Sequence, residues 1–423
     1  MEPEALSEIG PERRDALFER DSGIGEIRED AREIVDHVRA DGDDALRECA
    51  ATYDGVEITD IEITDQAADA YAAIDDAARE AIDQAIANVE AFHERQVPEN
   101  WDLEREGVRL GRRYHPLDSA GVYAPGGTAA YPSSAIMGIV PARVAGVDRV
   151  VVATPPADQI NPVTLAAIDA AGADAVYQMG GAQAIGALAY GTETVDPVDV
   201  VVGPGNRWVT AGKEYVRGDV NIDMLAGPSE VLVVADETSD PDRIAVEMLA
   251  QAEHDPNAAC ATVVTDAEVA ERSIERMDAW IPDRERAEII REALANDSSG
   301  VFVAESTAEA IEFANDYAGE HIYVDTADPE ATMAEISNYG SAFLGPYTPV
   351  AAGDYASGTN HVLPTGGTAS LQAGLSVDDF VRSATVQRLD REGLANLRET
   401  ITTLADREGL EAHAASVEAR FEK

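Results

Sequence analysis

Apolar residues recur every three to four positions through Arg28–Thr52 and again through Asp65–Gln96, each time among acids, which predicts two amphipathic helical stretches. The segment Val56–Thr64 between them reads as a short polar strand region. From Val108 the pattern changes to brief β-branched runs separated by Ala-rich stretches. Val150–Ala153, Ala175–Gln178 and Val198–Val202 are apolar at successive positions, as parallel strands covered on both faces are. Pro132–Ala145, Pro162–Ala171, Ala182–Tyr190 and Arg207–Arg217 supply the crossover helices. A second series follows, with strands at Glu230–Ala235, Cys260–Thr265, Val301–Val303 and Ile322–Val324. Its helices are Asp240–His254, Ala267–Ala279, Arg284–Ala295 and Thr307–Tyr317. Val377–Glu422 is expected to be helical again.

Strand and helix alternation of this kind implies an α/β fold. The expectation is two Rossmann-like doubly wound lobes with mostly parallel sheets, plus helical N- and C-terminal segments. Residues 1–22 form a helical extension, 23–120 with 232–370 one discontinuous lobe, 121–231 the other lobe, and 371–423 a small helical tail domain.

The 423 residues carry 81 acidic and 31 basic groups, a formal charge of -50. Only Lys213 and Lys423 are lysines, and the acids run the whole length rather than forming a tail. This charge repels nucleic acid and anionic membranes. It suits a cytosol of very high salt, where the screening length is about 3 Å at 1 M, and so implies a halophilic source. No apolar run approaches a membrane span, and no basic-then-apolar leader opens the sequence, so a cytoplasmic protein is expected. Two cysteines, Cys49 and Cys260, make no disulfide framework.

Chemistry is suggested at several places. Gly353–Thr365 sets Asp354 and His361 in a Gly/Ser/Asn-rich segment without helix or strand period, either a polar loop or a site that aims a carboxylate and an imidazole. Gln251 and His254, three apart at a helix end before Pro256, are either half a metal site or a solvated helix terminus. Glu320-His321, after Gly319, is a proton-transfer pair or a surface pair. His413 sits on a short tail helix, where a lone histidine is ordinarily a surface residue. Gly126-Gly-Thr128, Gly180-Gly-Ala-Gln183 and Gly203-Pro-Gly-Asn206 are glycine-rich turns leading into helices. They are either ordinary tight turns or the floor of a nucleotide site at the strand carboxyl ends. Lys213, kept where lysine is otherwise nearly absent, makes a phosphate or a structural contact.

In order along the chain, GVYAPGG at 121–127, GGAQAI at 180–185, GPGN at 203–206 and AGPSEVLVVAD at 226–236 resemble the histidinol dehydrogenase family. So do LAQAEHD at 249–255, GEHIYV at 319–324, GDYASGTNHVLPT at 353–365 and EGLEAH at 408–413. The resemblance runs from about Ile24 to the end. It implies oxidation of L-histidinol to L-histidine through the aldehyde, with two NAD⁺ used in succession and one Zn²⁺ per subunit. By motif, it implies Gln251, His254 and Asp354 as zinc ligands, with His413 from the other subunit of a homodimer. It implies His321 as general base and Glu320 as activator of water. Ser229, His361 and Glu408 would touch substrate, and Tyr123, Gln183 and Asn206 would touch NAD⁺. It places the cofactor in the 121–231 lobe and the metal and catalytic residues in the discontinuous lobe. The tail domain would complete the partner's site.

Two neutral imidazoles, one amide and one carboxylate leave a zinc ion with positive charge and open positions. Such an ion suits an amino alcohol that also offers an imidazole nitrogen. A zinc-dependent hydrolase uses similar ligands but needs no Gly-rich α/β lobe. A non-catalytic binding module would be indifferent to loss of His321. A thiol aldehyde dehydrogenase would need Cys260 as nucleophile, against its apolar, strand-like setting.

Overall fold

The computed structural model describes residues 1–18, 20, 23–126 and 131–422. Residues Met1–Gln96 with Leu117–Phe380 form one compact unit, and Val97–Pro116 with Val381–Lys423 form another.

The first unit holds two parallel sheets, as the alternation of apolar runs and helices predicts. One has five strands in the order Ala175–Gln178, Arg149–Thr154, Ser119–Tyr123, Val200–Val202, Asn221–Ile222. Its central strands are buried at every residue because helices cover both faces. Helix Pro132–Ala145 lies so close to the sheet that a Cβ on Gly138 would collide with Val122. Asn161 and Asn206 start the next crossovers, each side-chain oxygen accepting two backbone N–H bonds of the helix it caps.

The long amino-terminal helices belong to this sheet as well. Arg28–Cys49 packs in one core with Gly181–Tyr190 and Arg207–Val216. Thr64–Ala73 and Asp76–His93 pack in the other with Pro132–Ala145 and Pro162–Ala170. Residues 23–120 therefore do not go with 232–370 as expected. Their apolar stripes are complementary to the faces of the five-stranded sheet, and sequence adjacency did not reveal that. The stretch Asp65–Gln96 is two helices, broken where Asp75 leaves helical geometry and caps the second through Ala78 N–H. Val56–Thr64 makes only an isolated bridge, Glu62 to Tyr177.

The other sheet has six strands, all parallel: Glu4–Ala5, Gly300–Val303, Ala259–Val264, Glu230–Ala235, His321–Asp325, Ser341–Leu344. The extension 1–22 is thus not wholly helical. Its residues Glu4–Ala5 add an edge strand, and Leu17 of helix Pro11–Phe18 enters the core beneath Phe302 and Phe313.

In the second unit, Val381–Leu389, Val108–Pro116 and Trp101–Arg105 form an antiparallel sheet, followed by helices Arg391–Arg407 and Glu411–Glu418. The expectation that Val377–Glu422 is helical fails over Val381–Leu389. All nine of those residues pair with Pro116–Val108, a ladder supplied by a segment remote in sequence. The strand's seven central residues are exposed, so it carries no buried-face pattern to betray it.

Candidate active site

Glu230 and His321 are the first residues of neighbouring central strands in the six-stranded sheet, paired in register as His321 with Val231. Glu320 and His321 are both buried, at 5% and 4% exposure, so the surface-pair reading is excluded. Glu320 precedes the regular strand, which lets it share a site with its neighbour. The backbone N–H of Glu230 donates to Glu320 Oε2 at 2.7 Å. His321 Nδ1 lies 3.0 Å from the Glu230 carbonyl oxygen, an acceptor, so that nitrogen carries the proton. Nε2 is buried without a hydrogen-bond partner among the described residues, and Asp354 Oδ1 stands 3.5 Å away. Burial opposes charge on His321, but the carboxylates of Glu320 and Asp354 outweigh it and hold the imidazole well above its ordinary value.

Asp354 lies on the short helix Val350–Tyr355. Burial works against its ionisation, yet the facing His321 and the charges of His361 and His254 keep its carboxyl below the usual range. His361 is clamped between the Asp354 carbonyl oxygen (2.8 Å from Nδ1) and Ser134 Oγ (3.0 Å from Nε2). Burial pushes its imidazole down, towards the neutral form. The segment 353–365 is therefore not a free polar loop. Asn360 anchors it to the Met137 carbonyl, and Thr365 Oγ1 accepts the Gly227 N–H at 2.6 Å.

Gln251 ends helix Pro241–Ala252; its side chain is buried and Nε2 has no partner among the described residues. His254 follows in the exposed turn. Glu247, one helical turn before Gln251, is buried and accepts the N–H of Val350, the first residue of the helix that carries Asp354. Burial raises its carboxyl, with Asp354 adding to the effect. Among the described residues no group of three His, Cys, Asp or Glu side chains is arranged to hold a metal. Gln251, His254 and Asp354 contribute only two of those types. Glu408, at the end of Arg391–Arg407, and His413, on Glu411–Glu418, are exposed residues of the second unit.

The Gly-rich turns gather at the carboxyl ends of the five-stranded sheet. Gly126 and Gly180 both approach Pro155, and a Cβ on Gly203 would strike the Tyr123 carbonyl. Gly127 and Thr128, the rest of the first turn, lie outside the described residues. The buried Tyr123 hydroxyl accepts the Gly181 N–H at 3.2 Å. Gln183 is buried and its amide reaches Asp54 Oδ2 at 3.5 Å. Asn206 spends its side-chain oxygen on the helix cap, leaving its amide N–H groups for other use. Lys213 makes a structural contact. Its ammonium, buried, donates to the Gly203 carbonyl and to Asp223, each at 2.6 Å. Cys260 is wholly buried in its strand and burial drives its thiol far up, which removes it as a nucleophile.

The family model described as histidinol dehydrogenase matches residues 19–421. This chain belongs to the histidinol dehydrogenase family. The histidinol dehydrogenase of Haloarcula marismortui is 60% identical over 422 residues, spanning 100% of both chains. That of Halobacterium salinarum is 60% identical over 423 residues, again 100% of both. Among solved structures, a crystal structure of the histidinol dehydrogenase from Elizabethkingia anophelis matches with a TM-score of 0.93 at 34% identity. It covers 100% of this chain and 97% of that one.

Sequence reasoning singled out the Glu320–His321 dyad, the 353–365 segment and the Gly-rich turns as candidates. It did not single out Glu230, Glu247, Ser134 and Asp54, which hydrogen-bond to these residues or to the elements that carry them, nor Arg20, whose Nε stands 2.9 Å from Glu230 Oε1. Glu230 stood inside the quoted run AGPSEVLVVAD, where an acid among strand residues was a visible signal. Arg20 gave none, being one of many arginines in a polar stretch.

Proposed function

We propose that this chain oxidises L-histidinol to L-histidine through the aldehyde, at the site built around Glu320 and His321. The observation that carries the reading is the state of His321 in a chain of this family. Its Nδ1 proton is committed to the Glu230 carbonyl, so its buried Nε2 is the atom that can accept a proton. In the first oxidation that nitrogen takes the hydroxyl proton as hydride leaves the carbinol carbon. Glu320 then draws a proton from the water that adds to the aldehyde while His321 returns its proton to the carbonyl oxygen, and the freed Nε2 takes a hydroxyl proton from the resulting hydrate as the second hydride leaves. NAD⁺, when bound, accepts the hydride of each step. Tyr123, Gln183 and Asn206 would line its site, supported by their placement at the converging turns.

Gln251, His254 and Asp354 would hold one Zn²⁺ per subunit, with His413 lent by a second copy. A buried Gln251 side chain whose Nε2 has no partner among the described residues, and a partly buried Asp354 carboxyl that His254 helps keep ionised, fit that use. The ion would grip the imidazole and amine of the substrate and fix the reacting carbon. Asp354, once committed to a cation, raises His321 less, which favours the free base. His361, Ser229 and Glu408 would contact substrate.

A homodimer accords with the second unit. It has 11 basic and 12 acidic residues, against 31 and 81 in the whole chain, and exposes Trp101, Leu103, Val386 and Leu404. A near-neutral sheet with apolar residues in the open is suited to be covered by an acidic partner such as another copy. No helix among the described residues is long and apolar enough to cross a membrane, and we assign the enzyme to the cytoplasm.

The test is absorbance of NADH when histidinol and NAD⁺ are mixed with the protein in molar KCl. His321→Asn is expected to lower kcat by about 10²-fold or more while leaving zinc content and fold intact. Near-normal turnover in that variant would remove His321 from its role.

A further inference from the structure

Behind the dyad lies a buried ion pair that the reaction does not consume. Glu230 is 1% exposed, and Arg20 Nε stands 2.9 Å from its Oε1, with the N–H not aligned for a hydrogen bond. The Arg20 guanidinium stacks 3.9 Å from the Tyr317 ring centre and donates to the Tyr317 carbonyl at 2.6 Å. Arg20 is thus held from one side by an aromatic face and from the other by a carboxylate.

Glu230 contacts Glu320, His321 and Gly366 through its N–H, carbonyl and carboxylate groups. Its carbonyl accepts from His321 Nδ1, and its N–H donates to Glu320 Oε2. Its carboxylate accepts the Glu320 N–H at 3.4 Å and the Gly366 N–H, which immediately follows the segment that carries Asp354 and His361. These bonds select one tautomer of His321, pin one oxygen of Glu320 as an acceptor and fix the end of the 353–365 segment. The carboxylate in turn requires its cation. Without Arg20 it would be a buried charge facing backbone dipoles and the like charge of Glu320, and such a group neutralises or moves.

We propose that the Arg20–Glu230 pair is the positioning device of this active site, holding Glu320 and His321 in register with the segment that carries Asp354. The pair touches neither substrate nor cofactor, so it is not catalytic. The inference rests on the function proposed above. It assigns Arg20 a role that neither the motifs nor the family resemblance gave it.

The test compares wild type, Glu230→Gln, Arg20→Lys and the charge-free double variant Arg20→Met/Glu230→Gln in molar KCl. Each is checked for a cooperative thermal transition and for zinc content. Glu230→Gln is expected to lower kcat about 10- to 100-fold with KM for histidinol within threefold, the scale seen when an outer residue that orients a reacting group is lost. The pH at which kcat/KM half-rises should shift, because Glu320 and His321 no longer keep their bonding geometry. Arg20→Lys, which keeps the cation beside Glu230, should retain most of the wild-type rate. Should Glu230→Gln not fold, the double variant, which strands no charge, carries the same expectation. A folded double variant with wild-type kcat and an unmoved pH profile overturns the proposal. So does a loss confined to stability. A wild-type protein that makes no NADH from histidinol would instead overturn the functional reading.

Discussion

Burial raises the Asp54 carboxyl from an ordinary 3.8 to about 6. The folded chain then binds that proton more tightly than the unfolded chain. The stability it lends is present below 3.8 and lost as pH rises towards 6. Asp54→Asn removes the titration, so the melting temperature of the variant minus that of wild type should grow across this window and be level above it. A difference that stays constant from pH 3.5 to 7 would contradict the shift. Lys213 makes a sharper prediction. Its pairing with Asp223 is buried on both sides, at 3% and 0% side-chain exposure. Lys213→Met leaves a carboxylate without its cation and should cost about 3–5 kcal/mol, read from denaturant midpoints. The same contact accounts for a lysine here in a chain that has one other, Lys423. A compact ammonium fits between the Gly203 carbonyl and Asp223, where a forked guanidinium would not.

At the scale of elements, the turns of the five-stranded sheet are set by close approach. Gly203 has φ 108°, a region that side chains avoid, and a Cβ there would meet the Tyr123 carbonyl. Gly203→Ala should therefore push the 203–206 turn off the sheet and weaken NAD⁺ binding about tenfold or more in equilibrium titration, with histidinol binding unaffected. These turns were legible because glycine at a strand-to-helix junction is a local demand. The strand Val381–Leu389 was not. Its stabilisation comes from the ladder with Val108–Pro116, and neither face is buried enough to impose an apolar period. The hairpin Trp101–Pro116 turns at Glu106-Gly107, both at positive φ, the geometry that joins twisted strands in two residues. The site shows the same division. Glu320 and His321 could be picked out by type and spacing, but their burial and the bonds of Glu230 and Glu247 arise where strand ends and a helix from separate parts of the chain meet.

For the whole molecule, the formal charge of -50 is carried almost entirely by the first unit. Self-repulsion on that scale is screened only when the Debye length falls to a few ångströms. Activity and melting temperature are expected to rise from dilute buffer to molar KCl, and a maximum in dilute buffer would contradict the reading. If the second unit is an interface, sedimentation should give a dimer in high salt. Mixing Glu320→Gln subunits with His413→Ala subunits should then regenerate activity that neither has alone. The 60% identity to two haloarchaeal relatives over the full chain accords with the salt expectation.

The chain by itself determined its class of fold, its two strand–helix series, its Gly-rich turns and the residue types available for chemistry. Each of these is written in local periodicity or in the steric needs of a few neighbouring residues. Tertiary structure alone decided which sheet the amino-terminal helices cover, that Val381–Leu389 is a strand, and that Arg20 reaches Glu230 beneath the dyad. Those outcomes depend on burial and pairing between distant segments, whose free energy no single stretch of sequence contains.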